Sequence, residues 1–384
     1  GLEESMLLAL PVIVLLVNSG RWLAGTRFFS RKSAKALRKD SSSKEKFLYR
    51  DRLRPIAQIT LLALIAVPSA SLSFDRDTKK TIQINYFNCQ KMWPKVLAIA
   101  QEIPMKHYFP FCPHDVNRAL YYTDRLGDQM FAYPQNYFTE DLVFSSIDGG
   151  NVVFMDRAEM CLELGLVNVA EKIAYEFLGG ADDSPFILKQ LALINIVKGR
   201  IETARVFLRA LSRNLVYAKE AKGLLRRLES DPQLKSDQRI RHIRSVMMTN
   251  DLPFGIYNEG DWLEELLRRN KHNKMAFEYL MAHYLLTKQL DKFIENLPRL
   301  DDFGYKSIPR HYQEAIVLYI GTTRKNIDLG GRKMDTETVR QYNEINKIGE
   351  QFSHNANIAW RGLAPKLGRT YYFYFTFGMS GVWQ

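Results

Sequence analysis

Beyond Phe74, apolar side chains recur every three to four residues over most of the chain, and little of it alternates as a strand would. In CLELGLVNVAEKIAYEFL, Cys161–Leu178, the stripe runs through Leu166, Val169, Ile173 and Phe177. Gly165 stands where one helix would give way to the next, and Ala170 follows five residues later. LALINIVKGRIETARVFLRAL repeats the arrangement with Gly199 and Ala204, its stripe continuing through Phe207, Leu208 and Leu211. Looser copies pair Lys288 with Phe293 and Lys91 with Val96. A small residue at the turn lets two antiparallel helices approach, and the residue five places on packs against the first. Each pair then leaves an apolar face that its neighbour covers. The expected class is all-α, with an α-solenoid of helical pairs over 75–384.

Gly165/Ala170 and Gly199/Ala204 resemble the turn glycine and second-helix alanine of tetratricopeptide-type repeats. The Trp and Tyr of that repeat's first helix and its closing Pro are mostly missing. The interval of 34 residues from Gly165 to Gly199 becomes 89 from Gly199 to Lys288, so no strict period holds. The resemblance implies a helical stack that binds another protein. Loops are expected at Pro110–Asp115, Ser145–Asn151, Gly179–Pro185, Asn250–Asp261 and Asp328–Asp335, with Asp335 or Thr336 capping the helix after the last.

The first part of the chain reads differently. MLLALPVIVLLVN, Met6–Asn18, has no charge, and extending it to Ala24 admits only Arg21. Ile56–Phe74 is uncharged over 19 residues. At 1.5 Å per residue either window reaches about 28 Å, close to the roughly 30 Å of a bilayer's hydrocarbon. The expectation is two transmembrane helices, in 1–24 and 56–74, ahead of the solenoid. Residues 25–55 form a basic connector, and 75–384 the helical-repeat domain.

Charge sharpens that expectation. The chain carries +12, but residues 1–74 hold 12 Lys and Arg, all between Arg21 and Arg54, against 5 Asp and Glu. A basic loop between two spans is what a cytoplasmic loop looks like. RKSAKALRKDSSSKEK lacks the interleaved aromatics of a nucleic-acid grip, so no nucleic acid is expected as partner. Attraction to anionic headgroups is a natural second role for the run. The expected setting is a bacterial inner membrane with the carboxy-terminal domain in the periplasm. The chain opens on Gly1 close to an apolar window, which reads as the later part of a longer membrane protein.

NRALYYTDRLGDQMFAYPQ, Asn117–Gln135, and the ending GRTYYFYFTFG, Gly368–Gly378, resemble a family of uncharacterised bacterial membrane proteins. These have amino-terminal spans and a helical carboxy-terminal region. The resemblance implies architecture and carries no catalytic residue with it.

Few residues suggest chemistry. Cys89, Cys112 and Cys161 show no C-x-x-C spacing and are expected as buried free thiols. Seven histidines show no H-x-x-x-H pair. His107, Cys112, His114 and Asp115 cluster in sequence without matching any known metal spacing. Asp302-Phe303-Gly304 spells a kinase triplet with none of its companion motifs. The acidic pairs Asp182-Asp183, Glu264-Glu265 and Asp301-Asp302 read as turns and solvated faces. No catalytic, cofactor-binding or metal-ligating residue is assigned. The reading is a scaffold or protein-binding module, its partners a lipid bilayer and an unidentified protein. The alternative is a membrane enzyme or transporter acting on envelope substrates, its site in spans upstream. The ending YYFYFTFGMSGVW, Tyr371–Trp383, is expected as a final helix whose rings cover the open end of the stack.

Overall fold

The structure, a computed structural model, describes residues 75–103, 112–135, 142, 150–180, 184–248, 259–351 and 356–379, together with 60–62, 64–66, 68 and 69. The chain divides after Arg76 into two units, of which the second, Asp77–Gln384, holds the core. Every regular element among the described residues is helical.

The expected membrane spans are overturned, because no described helix is long and apolar enough to cross a membrane. The first window, 1–24, and the basic connector, 25–55, lie outside the described residues. In the second window only 60–62, 64–66, 68 and 69 are described, and these are helical. The next helix, α1 (Arg76–Cys89), opens on Arg76, Asp77, Lys79 and Lys80.

After α1 come α2 (Trp93–Ala100), α3 (Cys112–Tyr122) and α4 (Leu126–Gln129). Next are α5 (Gly150–Leu164), α6 (Val167–Gly180), α7 (Pro185–Val197), α8 (Ile201–Leu211), α9 (Ala218–Ser230) and α10 (Gln238–Val246). The last group is α11 (Glu259–Arg269), α12 (Lys274–Leu286), α13 (Leu290–Asn296), α14 (Arg310–Thr323), α15 (Thr336–Gln351), α16 (Ala356–Leu367) and α17 (Tyr371–Phe377). Consecutive helices pair: α5 with α6, α7 with α8, α11 with α12, α12 with α13. Helix α10 turns back onto α5 and α7, while α12 and α14 both reach α4.

Six turns among the described residues share one geometry. At Lys91, Asp124, Gly165, Gly199, Lys288 and Gly304 the backbone is left-handed, with φ from +54° to +97°. The next residue's N–H then returns to the carbonyl five places back, as in Leu166 to Cys161 (2.8 Å), Arg200 to Asn195 (2.8 Å) and Gln289 to Tyr284 (2.9 Å). This closure satisfies carbonyls that a helix end would leave unpaired. Five residues after four of these turns stand Val96, Ala170, Ala204 and Phe293, all fully buried. Gly165 has a further constraint. A Cβ there would lie 2.3 Å from the Val246 carbonyl oxygen, whereas at Gly199 it would meet nothing within 4 Å. Alanine at Gly199 pays only the left-handed backbone, about 1–2 kcal/mol. At Gly165 it must also push α10 away.

Helix α12 is buried from Met275 to Leu286, as suits a helix apolar all round. Its cap joins two elements: Asn273 Oδ1 accepts from Ala276 N (3.1 Å), and Asn273 Nδ2 donates to the Leu164 carbonyl ending α5 (2.9 Å). The aromatic ending forms α17, capped by Thr370 and packed on α14 and α16. Tyr371, Tyr372, Phe373 and Tyr374 are wholly buried. Tyr374 Oη donates to Leu286 O (3.0 Å) and Tyr372 Oη to Thr338 O (2.9 Å). Buried Glu314 accepts from Tyr371 N (2.6 Å), Arg310 Nε (2.9 Å) and His311 Nδ1 (3.0 Å). His311 Nε2 accepts from Phe131 N (3.3 Å), which places the ring proton on Nδ1.

Candidate functional site

A polar cluster sits in the core where α1, α3, α5 and α10 meet. Asp156, Glu159 and Glu163 lie at i, i+3 and i+7 on one face of α5. Arg118 of α3, almost fully buried, grips Glu163 at two points, Nε to Oε2 (2.9 Å) and Nη2 to Oε1 (2.8 Å). The same guanidinium reaches Glu159 Oε1 (3.4 Å) and lies 5.4 Å from the Trp93 ring. Lys91, held at a left-handed turn, sends its ammonium to Glu163 (3.2 Å) and Glu159 (3.6 Å). Arg239 of α10 completes the set by pairing with Glu159.

Two asparagines join this network to a second carboxyl pair. Asn88 Nδ2 donates to Asp115 Oδ1 (2.6 Å) and lies 3.5 Å from Asp156 Oδ1. Asn85 Nδ2 donates to Asp156 Oδ2 (2.9 Å). The four acids divide by environment. Burial, and then the Asp156 carboxylate, raise Asp115 well above the ordinary range. Burial raises Asp156 to about 7, against the pull of Arg118. Glu163 is as buried, yet Arg118 and Lys91 overcome that burial and hold it at about 2.

Asp156 and Glu163 therefore give opposite pH dependences. Asp156, raised in the fold, contributes stability that is complete below about pH 4 and lost as pH rises through 7. Glu163, depressed in the fold, contributes stability present above about pH 4.5 and lost as pH falls through 2. Asp156→Asn is expected to gain on the parent chain in melting temperature as pH rises from 5 to 8. Thermal melts of both chains across this range check it, and parallel curves would contradict it.

Beside the network lies a cavity of about 250 Å³. Its apolar lining comes from Phe186 and Leu193 of α7, Leu208 of α8 and Leu224 of α9. Charged side chains stand among them, Arg118, Asp156, Glu159 and Arg239 from the network and Lys189, Glu220 and Arg227 from α7 and α9. Cys89 borders it, but burial around its sulfur and the carboxylates of Asp156 and Asp115 push the thiol up to about 12.

The residues singled out from sequence lie elsewhere or have other partners. His107 is outside the described residues. The loop expected at Pro110–Asp115 is corrected from Cys112 onward, where α3 begins. His114 Nδ1 donates to Leu142 O (2.8 Å) while Asp115 turns to Asn88, so they do not converge. Among the described residues no group of three or more His, Cys, Asp or Glu is placed to hold a metal ion. Glu265 pairs with Arg268 and Arg269, Asp301 with Arg332, and Asp302 with Arg299. Phe303 stacks on Phe277 (4.7 Å) beside the turn at Gly304. All three cysteines are free, Cys112 and Cys161 buried and Cys89 exposed. Asp335 Oδ1 accepts from Glu337 N (3.0 Å) at the start of α15.

Comparison with known families places these features in one sequence family. Residues 2–378 match a family of unknown function (DUF6057). The chain belongs to that family. No curated protein and no solved structure matches it. The match covers nearly all of the chain, including α1–α17 and the whole polar cluster. Arg118, Asn117 and Gln135, all in the segment Asn117–Gln135, are buried polar residues. Asn117 and Gln135 exchange two amide hydrogen bonds (3.0 and 3.1 Å).

Proposed function

We propose that Asp77–Gln384 is a protein-binding module, which takes one or two side chains of an extended partner segment into the cavity beside α5 and α7. The observation that carries this reading is the mixed lining, in which aliphatic and aromatic side chains stand among fixed charged ones. Binding cavities are mostly apolar with a few fixed polar groups. Here the polar groups are fixed in advance, because Arg118, Glu159 and Asp156 are held by one another and by Asn85, Asn88 and Lys91. At about 250 Å³ the cavity is smaller than the roughly 300–1,000 Å³ usual for a whole small molecule, and suits an anchor side chain. The tetratricopeptide-like reading of Gly165/Ala170 and Gly199/Ala204 supports it too. Those turns build α5/α6 and α7/α8, and α5, α7 and α8 all contribute to the lining.

Selecting random linear peptides against the full chain tests this reading. Enriched peptides should share an apolar anchor and bind the parent chain about tenfold or more tightly than Leu224→Arg, a difference of about 1.4 kcal/mol. Val339→Arg, at an exposed position outside the lining, should bind like the parent. Peptides that bind all three chains equally would sink the proposal.

A further inference from the structure

The turn between α8 and α9 presents a second surface. Leu215 is 99% exposed and Val216 79%, with Val206 exposed on α8 behind them. This exposure is built in. Asn214 Oδ1 accepts from Val216 N (2.9 Å) and Tyr217 N (3.2 Å). Arg213 N and Asn214 N return to Ala210 O (3.1 Å) and Leu211 O (3.0 Å), so the tip is fastened on both sides. Two aliphatic side chains held out in this way gain nothing from the fold that presents them.

The tip is also strongly basic. Residues 205–227 hold seven Lys and Arg against one acid, Glu220, which is itself paired with Lys189 (2.8 Å). Arg205 and Arg227 have carboxylate partners in Glu202 and Asp237. Arg209, Arg213, Lys219 and Lys222 are exposed and have no ion-pair partner among the described residues. Val206, Arg209 and Arg213 follow one another at helical spacing opposite the buried stripe Ala204, Leu208 and Leu211. On α9, Lys219 lies opposite buried Ala221 and Leu228, and Lys222 lies to one side of them.

We propose that this turn docks on an anionic lipid surface, with Leu215 and Val216 entering the boundary between headgroups and acyl chains. Arg209, Arg213, Lys219 and Lys222 then face the headgroup phosphates. Aliphatic residues beneath a ring of unpaired cations are the pairing that such an interface rewards. A nucleic acid would use the cations but leave Leu215 and Val216 uncovered, since bases stack on aromatic faces.

The test puts an environment-sensitive dye on Val216→Cys in the full chain carrying Cys89→Ser, because Cys112 and Cys161 are buried. Phosphatidylcholine vesicles containing phosphatidylglycerol should shift its emission to the blue, and pure phosphatidylcholine vesicles should not. Replacing Arg209, Arg213, Lys219 and Lys222 by serine should abolish the shift with the fold intact by circular dichroism. A dye on Val339→Cys should stay unshifted, which separates docking by this turn from attachment through any other part of the chain. An unshifted dye at 216 with the chain on the vesicles, an equal shift with both lipids, or tight binding to duplex DNA with no vesicle response would each overturn the proposal.

Discussion

A chain ending at Thr370 is expected to lose cooperative unfolding, or to melt far below the full chain. The deletion removes Tyr371, Tyr372, Phe373 and Tyr374, whose rings are wholly buried. At about 1.5–3 kcal/mol for each large apolar side chain, their sum rivals the roughly 5–15 kcal/mol that holds a whole domain together. The loss does not stop at area. Phe131 packs on Tyr371 (5.0 Å) and Tyr374 (4.9 Å), and both contacts vanish. Glu314 loses the Tyr371 amide and the Leu286 carbonyl loses the Tyr374 hydroxyl, leaving buried acceptors that cost about 1–3 kcal/mol when unpaired. Differential scanning calorimetry of the two chains decides the matter. An unchanged melting temperature would show that α17 does not close the stack.

Arg118→Met is expected to cost about 3–5 kcal/mol, the usual penalty for breaking a buried ion pair from one side. Glu163 would keep Lys91 and the Tyr122 hydroxyl, and Glu159 would keep Lys91 and Arg239, with Asn88 Oδ1 losing the Arg118 donor. Most of that penalty is the uncompensated charge on Glu163. The double variant Arg118→Met/Glu163→Met should therefore recover a large part of the loss, as paired apolar replacements of buried ions often do. Urea unfolding of the parent, single and double variants measures it. A double variant as unstable as the sum of its singles would mean that the two side chains act independently.

The hairpin turns were legible in the sequence because each is a local event. Gly165, Gly199, Lys288 and Lys91 were picked out by spacing alone, and all four have left-handed backbone. Lys91 and Lys288 pay a steric cost that glycine would not, and at Lys91 the side chain serves the ion network. Asp124 and Gly304 make the same turn, but Gln129 and Pro309 stand five residues on, in place of the small or apolar residue that marks the other four. The polar cluster was not legible, since its members come from distant parts of the chain. Asn85 meets Asp156 across 71 positions and Arg239 meets Glu159 across 80. One signal was available in the spacing of Asp156, Glu159 and Glu163 within a helix of mostly apolar neighbours. Adjacent acidic pairs do not reveal it, because residues sharing a helix face stand three, four or seven apart. Summed over everything after residue 74, the charge balance averages away the basic stretch 205–227. The expected spans fail because no described helix is long and apolar enough to cross a membrane.

The claim that most needs testing is that the cavity beside α5 and α7 receives a protein. A photo-activated crosslinking residue placed at Leu224, inside the lining, can be compared with the same residue at Val339, in the full chain and in the cells that make it. The account predicts a discrete, protein-sized adduct at Leu224 that is absent at Val339. Identical products at both positions, or none at Leu224 while Val339 reacts, would contradict it.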